Sequence, residues 1–225
     1  MKTVLLNLFL FVFILQTTAQ GPARSKSKFV RSIQKTVWTA GISGVVIDDD
    51  AKPFKDLFNL KDNWNLLPYP TKAHLEGFID KGISVEGAFT YMRLKKGKLT
   101  SDLNVPRATN VTLISFDANA KYDLNEVIGD TKAFSPYVIG GFGYTFRGYT
   151  EKKHAVTANF GLGFNVWVYK GFGLNVQSMA KFAMNKATGK NYLQHSVGVV
   201  YRFNLLTGYR TPNRLGHRYN LFRNQ

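Results

Sequence analysis

The chain contains no cysteine. That absence excludes a disulfide scaffold, a thiolate zinc site, a cysteine nucleophile and a lipid-modified N-terminal cysteine. Proline is scarce, with 7 residues, whereas glycine contributes 20 and aromatic residues 14%. Acidic residues are also scarce: 14 Asp+Glu stand against 30 Lys+Arg, for a formal net charge of +16. No segment beyond the first twenty residues has the run of about 18 apolar residues that a spanning helix requires. What is present is a chain of 225 residues, long enough for one good-sized domain or two small ones. At 44% hydrophobic it is too apolar for a disordered polymer. The basic excess makes nucleic acid the first partner to consider.

The N-terminus argues against that partner. Met1-Lys2 supplies a short positive stretch, positions 4–15 are almost wholly apolar, and Thr17-Thr18-Ala19 offers small residues to a peptidase. This is the secretory pattern, and its apolar core is shorter than the roughly 20 residues of a membrane span. The expectation is a signal peptide at 1–19 and an exported protein, with nucleic acid excluded as a partner.

Positions 20–36 are basic and free of acid: Arg24, Lys26, Lys28, Arg31 and Lys35. From Val37 onward the pattern has period two, which puts alternate residues on opposite faces of a strand. Eight runs are readable, at 38–46, 73–80, 83–93, 112–122, 134–147, 155–168, 172–182 and 192–203. In the clearest, Val156, Ala158, Phe160, Leu162, Phe164, Val166 and Val168 share one face, opposite Thr157, Asn159, Gly161, Gly163, Asn165 and Trp167. The connections alternate in length. Asp80-Lys81-Gly82 and Tyr169-Lys170-Gly171 are tight turns, and 123–133 carries a helical turn around Val127-Ile128. The stretches 47–72, 94–110 and 184–191 are longer and polar, and 148–154 is short and charged. Strands of about 9–11 residues with short turns at one end and long loops at the other are the pattern of an outer-membrane barrel.

A soluble barrel of the lipocalin kind shows the same alternation with its apolar face inward. Three features favour the membrane. The polar face carries long charged side chains beside glycines. Trp38, Tyr91, Tyr122, Phe172, Phe182, Tyr201 and Phe203 cluster at strand ends, where amphipathic rings meet a membrane interface. The last strand carries Ser196, Gly198, Tyr201 and Phe203, a spacing that resembles the C-terminal insertion signal read by barrel-assembly machinery. The expected fold is therefore all-β, a membrane-embedded antiparallel up-and-down β-barrel of eight strands over 37–203, with a basic tail at 204–225.

The region 38–203 resembles the eight-stranded barrel of OmpA-like proteins of Bacteroidota. The resemblance is carried by Lys121-Tyr122-Asp123-Leu124-Asn125-Glu126-Val127-Ile128-Gly129, by Gly161-Leu162-Gly163-Phe164-Asn165-Val166-Trp167, by Phe172-Gly173-Leu174-Asn175-Val176-Gln177-Ser178, and by Gln194-His195-Ser196-Val197-Gly198-Val199-Val200. It implies a barrel in the Gram-negative outer membrane with both termini periplasmic. The sequence ends soon after Phe203, so the peptidoglycan-binding domain that follows such barrels is not expected here.

Within an eight-stranded lumen opposite charges should pair, because an unpaired buried charge costs several kcal/mol. The candidate network is Glu76, Glu86, Asp117, Lys121, Arg147, Lys181 and Arg202. Strand direction puts Glu86, Asp117 and Arg202 in the periplasmic half, with Lys121 near its mouth. The same count puts Glu76 about midway, and Lys181 and Arg147 at the outer rim. His74 is the one histidine expected on the inner face, and an enzyme would need it beside a group such as Ser101 or Asp102. Nothing in the spacing demands that pairing. Gly161-x-Gly163 and Gly171-x-Gly173 open no helix, so no nucleotide loop is expected, nor any metal or cofactor.

The tail carries Arg210, Arg214, Arg218 and Arg223 and no acid. Both basic tails are expected to meet an acidic periplasmic protein or peptidoglycan, and the basic outer loops to meet lipopolysaccharide phosphates. The expected role is structural or interactive, in the envelope and not enzymatic. The alternatives are an accessory subunit of a secretion or gliding complex, or a narrow ion channel.

Overall fold

A strand that alternates apolar and polar residues over nine or more positions must hide one face from its surroundings. It must also pair both backbone edges. Closing the sheet on itself meets the second demand completely. The computed structural model describes residues 36–49, 64–100, 105–129, 131, 133–148, 153–185 and 190–204, and shows this closure. The strands are β1 (Val37–Asp48), β2 (Trp64–Leu66), β3 (Lys72–Asp80), β4 (Ile83–Leu94), β5 (Leu99–Thr100) and β6 (Val105–Pro106). They continue with β7 (Val111–Asp123), β8 (Phe134–Gly148), β9 (Lys153–Tyr169), β10 (Phe172–Ala183) and β11 (Tyr192–Asn204). A single helical turn, α1 (Asn125–Ile128), joins β7 to β8.

Eight of these strands, β1, β3, β4, β7, β8, β9, β10 and β11, pair antiparallel in chain order. The ring closes where β11 pairs with β1, from Val37↔Asn204 to Asp48↔Leu193. The eight strands read from periodicity are all present, most of them longer by one or two residues. Two short additions were not legible. β2 continues the line of β3 along β1, pairing Asp48↔Trp64 through Val46↔Leu66. Pro68 and Pro70 separate the two pieces, since neither can donate to a ladder. The ladder resumes at Thr71, whose N–H donates to Ser43 O at 2.9 Å. β5 and β6 form a small hairpin within the 94–110 connection.

The faces are those of a barrel turned inside out. On β9, Phe160 and Leu162 are 60% and 65% exposed while Asn159, the residue before Phe160, is 0% exposed. The same holds around the wall, where Ile42, Leu75, Val85, Phe116, Phe142, Leu174 and Val199 point outward and stay exposed. A continuous apolar exterior around a polar interior is the arrangement that hydrocarbon, not water, rewards. The fold is a closed, membrane-embedded, eight-stranded antiparallel barrel. Both chain ends of the ring, the two tight turns and α1 lie at one end, the turn end. The long connections lie at the other, the loop end.

Candidate functional site

The interior is stacked in layers, and the register decides which charges meet. Nearest the turn end, Glu76 and Glu86 are direct cross-strand partners of β3 and β4. Two carboxylates so placed repel unless a cation lies between them. Lys121 of β7 does so, with its Nζ 2.8 Å from Glu76 Oε2 and 2.6 Å from Glu86 Oε2. Lys72 approaches Glu86 at 3.7 Å and donates to Gln177 Oε1 at 2.9 Å. Ser84 Oγ donates to Glu76 at 2.7 Å. The Lys121 ammonium also lies 4.6 Å from the centroid of the Tyr137 ring, whose hydroxyl accepts from Asn175 Nδ2 at 2.7 Å.

One layer on, Lys181 of β10 crosses the lumen to Asp117 of β7, donating to its two oxygens at 2.8 and 2.7 Å and to Ser115 Oγ at 2.8 Å. Asn159 donates to Asp117 Oδ1 at 3.2 Å and to Asn119 Oδ1 at 3.1 Å. Two inward glycines make room for this layering. A Cβ on Gly143 would come within 2.1 Å of Asp117 Oδ1, and one on Gly163 within 2.6 Å of the Tyr137 hydroxyl.

Towards the loop end the lumen turns apolar. Val45, Ile47, Met92, Leu94, Val111, Leu113 and Tyr192 form one buried cluster, with Leu67 packed against it. Asp49 sits beside this layer, one residue beyond β1. Arg147 donates to both Asp49 oxygens, at 2.9 and 2.6 Å, and Arg107 donates to Oδ2. The Arg147 and Lys181 cations lie over the Tyr192 ring, 5.3 and 5.5 Å from its centroid.

Burial alone would raise the Asp49 carboxyl, but the guanidiniums of Arg147 and then Arg107 outweigh it. The group is held below the ordinary carboxylate range.

The structure therefore brings Glu76, Glu86 and Lys121 into one cluster and Asp117 and Lys181 into another. One height differs from the sequence expectation. Glu76 is level with Glu86, not midway, because the β3–β4 register sets them side by side. Lys181 starts near the loop end, as expected, and its long side chain reaches the mid-strand Asp117. Arg147 is at the loop end, on Asp49. Arg202 lies at the turn end with its guanidinium 3.7 Å from the centroid of the Trp167 ring. Lys72, Asp49 and Arg107 belong to the network and were not anticipated. Lys72 stood at the edge of its run, and Asp49 and Arg107 lay in stretches read as loop.

Of the insertion-signal residues, Ser196 is buried inside. Gly198 lies so close to β1 that a Cβ would come within 2.1 Å of Ile42 O. Tyr201 and Phe203 face outward, with their rings 6.1 Å apart. Arg210, Arg214, Arg218 and Arg223, and positions 1–35, lie outside the described residues.

His74 is buried with its ring over Gly41, and neither of its nitrogens has a hydrogen-bond partner among the described residues. Ser101 and Asp102 are outside the described residues. A serine–histidine contact does occur elsewhere, with Ser178 Oγ 2.9 Å from His195 Nδ1 on the outward face and Trp64 stacked on the imidazole at 5.5 Å. Ser178 and His195 are themselves ladder partners, so the amides beside the hydroxyl are committed to strand pairing and cannot cradle an oxyanion. The pair satisfies two polar groups on a hydrocarbon-facing wall.

No protein-family model matches the chain, and no curated protein sequence matches it. Among solved structures the chain is similar to the outer-membrane protein OprG of Pseudomonas aeruginosa, at 12% identity and TM-score 0.51, over 75% of this chain and 96% of that one. It is also similar to neisserial surface protein A, at 15% identity and TM-score 0.48, over 75% and 97%. Ail of Yersinia pestis follows at 15% identity and TM-score 0.44, over 75% and 97%. All three are eight-stranded outer-membrane barrels. At these identities the likeness concerns the fold, which is that of an outer-membrane barrel.

Proposed function

We propose that the protein is an integral outer-membrane barrel with a structural and interactive role in the cell envelope, one that does not conduct. The observation that carries this reading is the filled interior. Three lysines, Lys72, Lys121 and Lys181, neutralise three carboxylates, Glu76, Glu86 and Asp117. Beyond them the apolar layer around Leu113 and Met92 closes the lumen towards the loop end. An ion entering would have to break buried pairs and then cross a dry layer, and each step costs several kcal/mol.

The turn end is taken to face the periplasm, which puts the basic tails at 20–36 and 204–225 on that side. Their acid-free composition fits docking onto an acidic periplasmic protein or acidic muropeptides of the wall. The basic outer loops fit lipopolysaccharide phosphates. Extraction in mild detergent followed by affinity purification tests the tails. Removal of 206–225 should leave the barrel folded and abolish recovery of a partner or wall retention. Unchanged retention would overturn the docking role.

A further inference from the structure

We propose that the turn end of the barrel binds anionic phospholipid headgroups through two lysines held at the tips of its tight turns, Lys81 and Lys170. The inference rests on the membrane-barrel reading above. β3–β4 and β9–β10 are joined by Lys81-Gly82 and Lys170-Gly171. All four residues have left-handed backbones, with φ of 47° and 78° in the first turn and 36° and 88° in the second. That is the geometry of the hairpin turn matched to strand twist, and its first position favours Asn, Asp or Gly because a longer L side chain is strained there. The chain sets lysine in that strained position twice. Both side chains are exposed.

Their surroundings repeat as well. Beside Lys81 the outward Ile79 and Ile83 are exposed, and beside Lys170 the outward Tyr169 and Phe172 are exposed. The Lys170 ammonium lies 5.0 Å from the centroid of the Tyr169 ring.

The third connection at this end adds apolar contact. Asn125 braces α1, with its Nδ2 donating to Phe134 O at 3.1 Å and its N–H donating to Asp123 Oδ1 at 2.9 Å. The turn so braced presents Val127 and Ile128, both exposed. α1 leans on the Lys81 turn, where a Cβ on Gly82 would come within 2.5 Å of Glu126 Cγ.

Ammonium tips with apolar groups above them match the headgroup plane of a leaflet: phosphate below, acyl chain above. Two strands separate the two turns in either direction around the ring, β7 and β8 one way and β11 and β1 the other, so they lie on opposite sides of the wall, each beside its own outward apolar pair. A lipid plane meets both.

The test uses the full chain folded into phosphatidylcholine vesicles and into the same vesicles with added phosphatidylglycerol, at low salt. Folded fraction in urea is read from the heat-modifiable band. A basic side chain near an anionic surface contributes roughly fivefold to such an equilibrium. Wild type should gain folded population in anionic vesicles. Lys81→Asn with Lys170→Asn should lose roughly 25-fold of that gain, yet fold at least as well in phosphatidylcholine, because asparagine accepts the left-handed backbone. Lys81→Arg with Lys170→Arg should keep the gain. An equal anionic gain in wild type and the asparagine pair would overturn the proposal. So would an asparagine pair that folds worse in phosphatidylcholine, since the lysines would then serve the turn itself. Absence of a heat-modifiable band in both lipids would instead remove the membrane-barrel reading on which the proposal stands.

Discussion

Asp117 and Lys181 show what a single residue contributes inside this barrel. Both are buried, and each is the other's counter-charge. Asp117→Asn leaves an unpaired buried ammonium, a loss of about 3–5 kcal/mol. Combining it with Lys181→Met removes both charges and should recover most of that loss, as read from urea unfolding in detergent micelles.

Asp49 makes a pH-dependent prediction. Its carboxyl lies below the ordinary value when folded. Its stabilisation is therefore full above the ordinary aspartate value, about pH 4, and is lost as pH falls through the lower folded value. The wild-type urea midpoint should drop below pH 4. Asp49→Asn, already weaker at pH 7, should drop less over the same interval.

At residue scale the sequence listed candidate charges but not their partners. Glu76 meets Glu86 through register, and Lys181 meets Asp117 across the lumen, and neither relation follows from spacing along the chain. Lys72 and Asp49 escaped notice because they stand at strand ends, where alternation no longer assigns a face.

At the scale of the element, β9 is the sharpest case. Its two faces differ completely in environment, so the same substitution has opposite meanings on adjacent residues. Leu162→Arg on the outward face should destabilise the barrel in bilayers by about 2–4 kcal/mol. Gly163→Val, one residue on, meets the Tyr137 hydroxyl and should cost about 1–3 kcal/mol through overpacking. Chemical unfolding of the two variants in the same vesicles checks both.

The strands were legible because period two persists over nine or more positions and tight Lys-Gly turns punctuate it. β2 was not, because three residues are too few to show a period and Pro68 and Pro70 mask their continuity with β3. The apolar inner layer was also missed. Val45, Met92 and Leu113 hold inward positions on strands that also carry inward Ser43, Glu86 and Asp117, so no single polarity marks the inner face.

For the whole molecule, closure and the filled lumen make the predictions. The folded barrel should migrate anomalously on a detergent gel unless boiled, which separates it from a soluble barrel of the same strand count. Planar bilayers should show no steady conductance for wild type. Met92→Ser with Leu113→Ser wets the dry layer and should produce a small conductance if that layer is the barrier. Silence from the double variant would assign the block to the charge pairs instead.

The net charge of +16 is also a whole-molecule property, and it divides unevenly. The lysines and carboxylates of the lumen cancel, while nine basic residues lie on two tails without acid.

The amino-acid sequence determined the class of fold and the two faces of the wall by itself, because alternation and turn length are local quantities carried by consecutive residues. It also determined where the uncompensated charge sits. Only the tertiary structure decided which charges pair, that the lumen changes from ionic to apolar along its axis, and that Arg147 and Arg107 converge on Asp49. Those outcomes depend on the stagger between strands and on side chains crossing a narrow space, and both are set by closure of the ring.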